Sequence, residues 1–135
     1  MTTISLELAK KLYDKGLRLE TEKWGYLVHR VDRIIEICAD ENFDPYSNEE
    51  VDVLRTDRMY PALSTDELLA VMPDMFSIIK LPKDYGVKDM DGKYAVLKKG
   101  GRAEVWDYNP SEALGLMCEW LLDNGWKFNG KELVR

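Results

Sequence analysis

The sequence predicts an α+β domain in which helices pack on an antiparallel β-sheet. Two segments, Ser5–Lys15 and Asn109–Asn124, combine a helical apolar period with capping residues at their ends. Between them, the pair Gly100-Gly101 separates two strand-like runs, which is typical of a β-hairpin. The 135 residues, 45% apolar and 33% charged, fit one globular domain.

The first helix is predicted over Ser5–Lys15, with Ser5 as its N-cap and Gly16 as the left-handed residue that ends it. Glu7 and Lys11 are spaced to form an i,i+4 ion pair on the exposed side. The opposite face is apolar and consists of Leu8, Ala9, Leu12 and Tyr13.

The segment Trp24–Ala39 allows two interpretations. Its apolar residues follow a helical period, yet most of them are aromatic or β-branched and Gly25 interrupts them. We favour a β-hairpin that turns at Asp32-Arg33. A polar loop over Asp40–Asn48 and a short strand over Val51–Leu54 are expected to follow.

A short second helix is predicted to start at Ser64. Ser64 and Glu67 have the spacing of a capping box, and Leu63 and Leu68 occupy the positions of a hydrophobic staple. Pro73 should end this helix, because a residue before proline is disfavoured in the α-region.

Strands are predicted over Met75–Leu81, Lys93–Lys99 and Arg102–Tyr108, with a polar loop at Pro82–Gly92. A two-residue turn at Gly100-Gly101 places Val96 opposite Val105. In this register Tyr94 and Ala103 share the side of Val96, while the other side carries Ala95, Leu97 and Trp106. Because both sides are partly apolar, we expect both faces of this hairpin to be covered.

The third helix, Asn109–Asn124, has Asn109 as N-cap, Pro110 in its first turn and Gly125 just beyond its end. Its surface is apolar except for one narrow strip, so we predict a long helix at the centre of the fold that is buried on most sides. The strip consists of Glu112, Gly115, Glu119 and Asp123. A last small hairpin is predicted over Trp126–Val134, with its turn at Asn129-Gly130.

The sequence contains no pattern that assigns a catalytic residue, a metal or a cofactor. Asp40–Asp44 resembles the start of a calcium loop, but Pro45 replaces the required glycine and Val51 the bidentate glutamate. His29, the only histidine, would need Cys38 or Cys118 as a nucleophilic partner, and nothing local supports such a pair. We expect a solvated acidic loop and two thiols without catalytic function.

Composition limits the partners and the compartment. The net charge is −6, and no basic cluster of the kind that neutralises phosphates is evident, so nucleic acid is an unfavoured partner. The sequence shows only two cysteines, no secretory signal pattern and no long apolar run. These features predict a cytoplasmic protein that does not enter a membrane.

The candidate interaction residues are aromatic, aliphatic and basic. Trp120 lies beside the polar strip of the third helix, where the interpretation as a boundary core residue is favoured over that as an interface anchor. The other candidates are Leu116 and Trp106, together with the cations Lys98, Lys99 and Arg102 around the Gly100-Gly101 turn.

Three stretches carry a resemblance: Ile4–Leu12, Tyr60–Leu69 with Pro73, and Ser111–Leu122 with Gly125. Together they resemble small, functionally uncharacterised α+β proteins encoded by bacteriophages and prophages. The order of elements is similar: helix, variable β region, capped short helix, antiparallel strands, long helix. The resemblance implies a fold and no catalytic residue.

Three functional hypotheses follow, in order of preference. The first is a non-enzymatic module that binds a protein or associates with itself, for which a homodimer is the simplest form. The second is a small enzyme with a site built from scattered carboxylates. The third is a nucleic-acid-related protein, either a binder through the Lys98–Arg102 turn or a weak acidic mimic of nucleic acid.

Overall fold

The computed structural model describes residues 3–19, 25–29, 35–38, 57–99 and 102–135, and the side chains of these except for 25–29, 35–38, 57–59 and 102. The helices are α1 (Leu6–Asp14), α2 (Thr65–Val71) and α3 (Pro110–Asp123). The strands are β1 (Gly25–His29), β2 (Ile35–Cys38), β3 (Asp57–Pro61), β4 (Phe76–Lys80), β5 (Tyr94–Lys98), β6 (Arg102–Asp107), β7 (Lys127–Phe128) and β8 (Leu133–Val134). The chain is therefore of the α+β class, as predicted.

Each of these helices begins at a side chain that accepts hydrogen bonds from its own first turn. Ser5 Oγ accepts a hydrogen bond from the Leu8 N–H. Asn109 Oδ1 accepts from the N–H groups of Ser111 and Glu112. Ser64 and Glu67 form the complete capping box, with both bonds present. The three predicted N-caps are confirmed, because each depends on chemistry within three residues of the chain.

The three helix starts are also tied to one another. The Ile4 N–H donates to the Leu63 carbonyl at 3.0 Å, and Asn109 Nδ2 donates to the Thr3 carbonyl at 3.0 Å. The hydroxyls of Thr65 and Ser111 lie 2.8 Å apart, which joins the first turns of α2 and α3. The segments before α1, α2 and α3 therefore meet at one end of the fold.

The ends of α1 and α2 also follow the sequence prediction. Gly16 has φ +101°, the left-handed conformation that a residue just beyond a helix adopts. Met72, which precedes Pro73, has φ −66° and ψ 142° and so leaves the helical region, as expected for a residue before proline. All four residues predicted for the apolar face of α1 are buried, and the Glu7–Lys11 pair is present at 3.7 Å.

The first sheet has the order β2-β1-β3 and is antiparallel throughout. Strands β1 and β2 confirm the hairpin interpretation of Trp24–Ala39, with Val28 opposite Ile35. The predicted Asp32-Arg33 turn, the Asp40–Asn48 loop and the Val51–Leu54 strand lie outside the described residues. Strand β3 was not predicted, because it ends in Pro61, a residue depleted in strands and here at the end of an edge strand.

The second sheet has the order β4-β5-β6 and is also antiparallel. Val96 lies opposite Val105 as predicted, but a register shift between Val96 and Leu97 pairs Lys98 with Arg102. Three residues rather than two therefore connect the strands, and one residue of β6 is extra. The prediction that Ala103 shares the side of Val96 is wrong, since this bulge moves Ala103 to the side of Leu97.

The main core lies between α1, α2, α3 and one face of the second sheet. Leu8 and Leu12 of α1 meet Leu114, Met117 and Leu121 of α3 there, all 3% exposed or less. α3 contacts β5 and β6 as well as both other helices of the described chain.

The predicted polar strip of α3 is the side that packs against α1. Gly115 is buried, and a Cβ built there would lie 2.6 Å from Leu8 Cδ2. At the two ends of the strip, Glu112 accepts from the Ser5 N–H, and Asp123 accepts from Lys15 Nζ at 2.5 Å. Gly115 therefore lies in the contact between α1 and α3.

The C-terminal hairpin is confirmed. Strands β7 and β8 pair antiparallel, with Phe128 opposite Leu133. Asn129 Oδ1 accepts from the N–H groups of Lys131 and Glu132 at 2.9 and 2.8 Å, and Gly130 has φ +95°. Asn and Gly therefore form the turn as the sequence predicts.

Among the helices of the described segments, none is long and apolar enough to cross a bilayer.

Candidate interaction surface

The two faces of the β4–β5–β6 sheet have different surroundings. The inner face, with Phe76, Ile78, Val96 and Val105, packs on the main core and α3. We call the opposite side the outer face and define it by Ile79, Ala95, Leu97, Ala103 and Trp106, which alternate with the inner residues along the strands.

One row of the outer face crosses all three strands. Ile79 lies opposite Ala95, and Ala95 lies opposite Trp106. Ala95 in the middle is fully buried, whereas Ile79 is 43% exposed and Trp106 is 38% exposed. The row is therefore covered at its centre and open at both ends.

Leu81 and the loop Pro82–Gly92 that follows it provide this central cover. Leu81 and Met90 pack on Ala95 to form a second, smaller cluster, against which Leu97 and Ala103 are partly buried. The carboxylate of Asp91 accepts from the N–H groups of Gly86 and Val87 at 2.9 and 3.2 Å, which fixes the loop in a compact form. The prediction that both faces of the β5–β6 hairpin are covered therefore holds for the inner face, whereas the outer face is covered only in part.

A second apolar area lies on α3. Leu116 and Trp120 are four residues apart and so occupy the same side of the helix on successive turns. Leu116 is half-buried and lines a shallow groove of about 120 Å³ together with Ser5, Glu7, Leu8, Lys11 and Glu112. Trp120 is 52% exposed, which contradicts its interpretation as a boundary core residue.

Two of the three cations predicted at the β5–β6 turn, Lys98 and Arg102, occupy paired positions on neighbouring strands, and Lys99 follows Lys98. Lys98 and Lys99 are exposed, and Arg102 is the first residue of β6, directly opposite Lys98. The side chain of Arg102 lies outside the described set.

The sheet itself separates Trp106 on the outer face from Leu116 and Trp120 on α3, so the predicted interface residues do not form one surface.

Sequence reasoning missed two residues of this region, Met75 and Ile79, which are 38% and 43% exposed. A signal was present, because Phe76, Ile78 and Ile79 put apolar side chains on both sides of one strand. Tyr108, which follows β6, is 69% exposed and has Lys93 Nζ 4.9 Å from its ring centroid. The open apolar surface of the sheet is thus wider than the predicted residues alone.

Reactive groups are poorly placed for chemistry in the part of the chain that the structure describes. Burial raises the pKa of the Cys118 thiol from 9.0 to about 12, so the thiol is protonated at neutral pH. Within the described segments, no three His, Cys, Asp or Glu side chains cluster in a way that would hold a metal ion. The side chains of His29 and Cys38, and the segment Asp40–Val51 that was weighed as a calcium site, lie outside those segments.

Comparison with known proteins gives no relative on which to base a function: no protein-family model, no curated protein and no solved structure matches the chain. The geometry of the outer face and of α3 is therefore the basis for a functional proposal.

Proposed function

We propose that the chain is a non-enzymatic module that acts by binding protein, with a second copy of itself as its simplest partner, and that the β4–β5–β6 sheet carries the contact. The observation that supports this most is the row Ile79–Ala95–Trp106, in which exposed apolar side chains flank a buried centre. Apolar side chains grouped on one face of a sheet are typical of a surface that another protein covers.

The arrangement differs from ordinary scattered surface apolar residues. Leu69 on α2 is 39% exposed and stands alone on its element as an exposed large apolar side chain. The sheet instead groups Met75, which directly precedes the edge strand β4, and Ile79 of that strand with Trp106 of the other edge strand. A partner that covers a group of apolar side chains removes more apolar area from water than one that covers a single side chain. Grouping therefore favours association.

We also propose that the chain is a cytoplasmic protein encoded by a bacteriophage or prophage. The resemblance of Ile4–Leu12, Tyr60–Leu69 and Ser111–Leu122 to such proteins supports the origin. The free, buried thiol of Cys118 suits a reducing compartment.

Multi-angle light scattering and sedimentation over a concentration series test the proposal, with two matched variants. Ile79→Lys and Leu69→Lys each replace an aliphatic side chain that is about two-fifths exposed by a cation. We expect the native chain to form a dimer, Ile79→Lys to weaken it about tenfold or more, and Leu69→Lys to leave it unchanged, since a desolvated lysine is costly.

A native chain that stays strictly monomeric at every concentration would refute self-association through the sheet. Equal dimer stability in the native chain and Ile79→Lys would show that the contact lies elsewhere on the molecule.

A further inference from the structure

We infer that two copies of the chain associate by pairing their β4 strands edge to edge, antiparallel and in the register that places Ile78 opposite Ile78. This inference rests on the proposed self-association and specifies its geometry. Its ligand is a second copy of this chain, and the contact consists of backbone hydrogen bonds together with the outer-face side chains of β4 itself, Ser77 and Ile79.

The backbone hydrogen bonds at the two ends of β4 show which of its groups face β5 and which face away. Around the strand, the Lys99 N–H donates to the Met75 carbonyl at 2.6 Å and the Leu81 N–H donates to the Lys93 carbonyl at 2.8 Å. The β4–β5 register is regular between these points. Since successive residues of a strand direct their N–H and C=O groups to opposite sides, the odd-numbered residues bond to β5 and the even-numbered ones face away.

The outward groups therefore belong to Phe76, Ile78 and Lys80, and the Phe76 N–H is already used by the Pro73 carbonyl at 3.1 Å. No strand among the described segments pairs with β4 on this side. A two-fold axis at Ile78 lets the two Ile78 residues exchange a pair of hydrogen bonds. In the same register, the Lys80 N–H of each copy meets the Phe76 carbonyl of the other, so the occupied Phe76 N–H is not needed.

The charges at the ends of β4 favour the same arrangement. The exposed Asp74 precedes the strand, and the exposed residues Lys80 and Lys83 lie at its other end. Antiparallel pairing brings the acidic end of one copy beside the basic end of the other, whereas parallel pairing would place like charges together. In this register Lys80 of one copy lies opposite Phe76 of the other, so no two like charges face each other.

The other edge of this sheet is less suited to pairing. Strand β6 contains the register shift opposite Val96 and Leu97, and such a bulge interrupts the regular series of outward backbone groups. Strand β6 also packs against α3. Strand β4 has no bulge and no proline, which are two of the features that normally protect an edge.

Pairing at β4 also joins the two outer faces. Ser77 of one copy comes to lie opposite Ile79 of the other on that side, and the diagonal neighbours of each Ile79 are Met75 and Ile79 of the second copy, so the exposed Ile79 gains apolar neighbours. The result is one sheet of six strands, with β4 of both copies at its middle and Trp106 near each outer edge. This explains why substitution of Ile79 is expected to weaken the dimer.

A cysteine pair tests this register directly. In the double variant Ser77→Cys/Ile79→Cys, each new thiol faces its counterpart in the second copy at a non-hydrogen-bonded pair, where Cα atoms lie about 4.5 Å apart, within disulfide range. Mild oxidation of the double variant should give a covalent dimer with two disulfides. The single variants Ser77→Cys and Ile79→Cys, each facing a residue that is not cysteine, should remain mainly non-covalent and also control for Cys38 and Cys118.

A second matched pair tests the backbone bonds without changing the core. Lys80→Pro removes the outward N–H, while Lys80→Ala removes the side chain and keeps the N–H. Two bonds are lost per dimer in Lys80→Pro, so we expect its dimer dissociation constant to rise about tenfold or more, against little change in Lys80→Ala. Thermal unfolding of both variants shows whether each keeps the fold.

The outcomes separate the two proposals. A native dimer in light scattering, with no covalent dimer in the double variant and equal effects of Lys80→Pro and Lys80→Ala, would overturn the β4 pairing and leave self-association standing. A strictly monomeric native chain would overturn both. A covalent dimer specific to the double variant would establish the register.

Discussion

Gly115 of α3 lies directly against Leu8 of α1, so closely that no side chain fits between them. A Cβ atom at position 115 would stand 2.6 Å from Leu8 Cδ2 and 3.0 Å from Ile4 Cγ2. The bond from the Ser5 N–H to Glu112 and the Lys15–Asp123 pair lie at the two ends of this contact. The two helices therefore approach at a glycine and are held at both ends by polar bonds.

We expect Gly115→Ala to destabilise the chain by about 1 kcal/mol. Overpacking of a buried contact costs about 1–3 kcal/mol, while replacing a helical glycine by alanine returns about 1 kcal/mol. Leu8 is only 3% exposed and Ile4 is branched at Cβ, so neither side chain moves aside freely. Urea denaturation of the variant gives the free energy of unfolding.

A double-mutant cycle with Leu8→Ala controls this prediction. Removing Leu8 Cδ2 should remove most of the cost of Gly115→Ala, so that the same substitution becomes nearly neutral in the Leu8→Ala background. Equal effects in both backgrounds would contradict the steric explanation.

Asn109 has two separable functions, and its substitutions should resolve them. Its Oδ1 accepts from the N–H groups of Ser111 and Glu112, and its Nδ2 donates to the Thr3 carbonyl. Asn109→Ala should cost about 2 kcal/mol, since both the helix cap and the tie to the N-terminal segment are lost.

Asn109→Asp serves as the partial variant, because it keeps the capping oxygen and loses the donor to Thr3. We expect it to cost about 1 kcal/mol, between the native chain and Asn109→Ala, in the same denaturation measurement. If Asn109→Asp were as stable as the native chain, the bond to Thr3 would contribute nothing.

Helix boundaries were predictable here because their causes are local. Ser5, Ser64 and Asn109 each bond within three residues, so the sequence alone contains both partners of every cap. The burial of Gly115 was not predictable in the same way. Its neighbours Glu112 and Glu119 indicated a polar strip, and only the approach of α1 makes that strip a contact.

The β5–β6 hairpin shows the same limit in a strand. Gly100-Gly101 is compatible with either a two-residue turn or part of a three-residue one, and these two glycines do not encode the register shift between Val96 and Leu97 that distinguishes the two. The sequence therefore located Trp106 on the correct side but not Ala103. Likewise, the exposure of Ile79 depends on how far the Pro82–Gly92 loop reaches, which no local pattern encodes.

Above pH 9, Cys118 should make the chain less stable as the pH rises. Burial raises the pKa of its thiol from 9.0 in the unfolded chain to about 12 in the folded one. Between these values the unfolded chain releases a proton that the folded chain retains, so stability falls by up to about 1.4 kcal/mol per pH unit. Below pH 9 both states are protonated and the thiol contributes no pH dependence.

The measurement is the difference in unfolding free energy between the native chain and Cys118→Ala from pH 7 to pH 11. Other groups titrate in the same range, but their effect is shared by both chains and cancels in the difference. The gap between the two chains should stay constant to about pH 9 and then narrow. A gap that does not change with pH would mean that the thiol is accessible to water in the folded state.

Trp120 should contribute little to the stability of the fold, in contrast to Trp126. Trp120 is 52% exposed, whereas Trp126 is half-buried and packs on the main core. We expect Trp120→Ala to change the free energy of unfolding by less than about 0.5 kcal/mol, and Trp126→Ala to lower it by about 2 kcal/mol. Because the β4–β5–β6 sheet lies between Trp120 and the outer face, Trp120→Ala should also leave the dimer dissociation constant unchanged. Weaker association in Trp120→Ala with native stability would instead place a protein contact on α3, where Leu116 and Trp120 share one side.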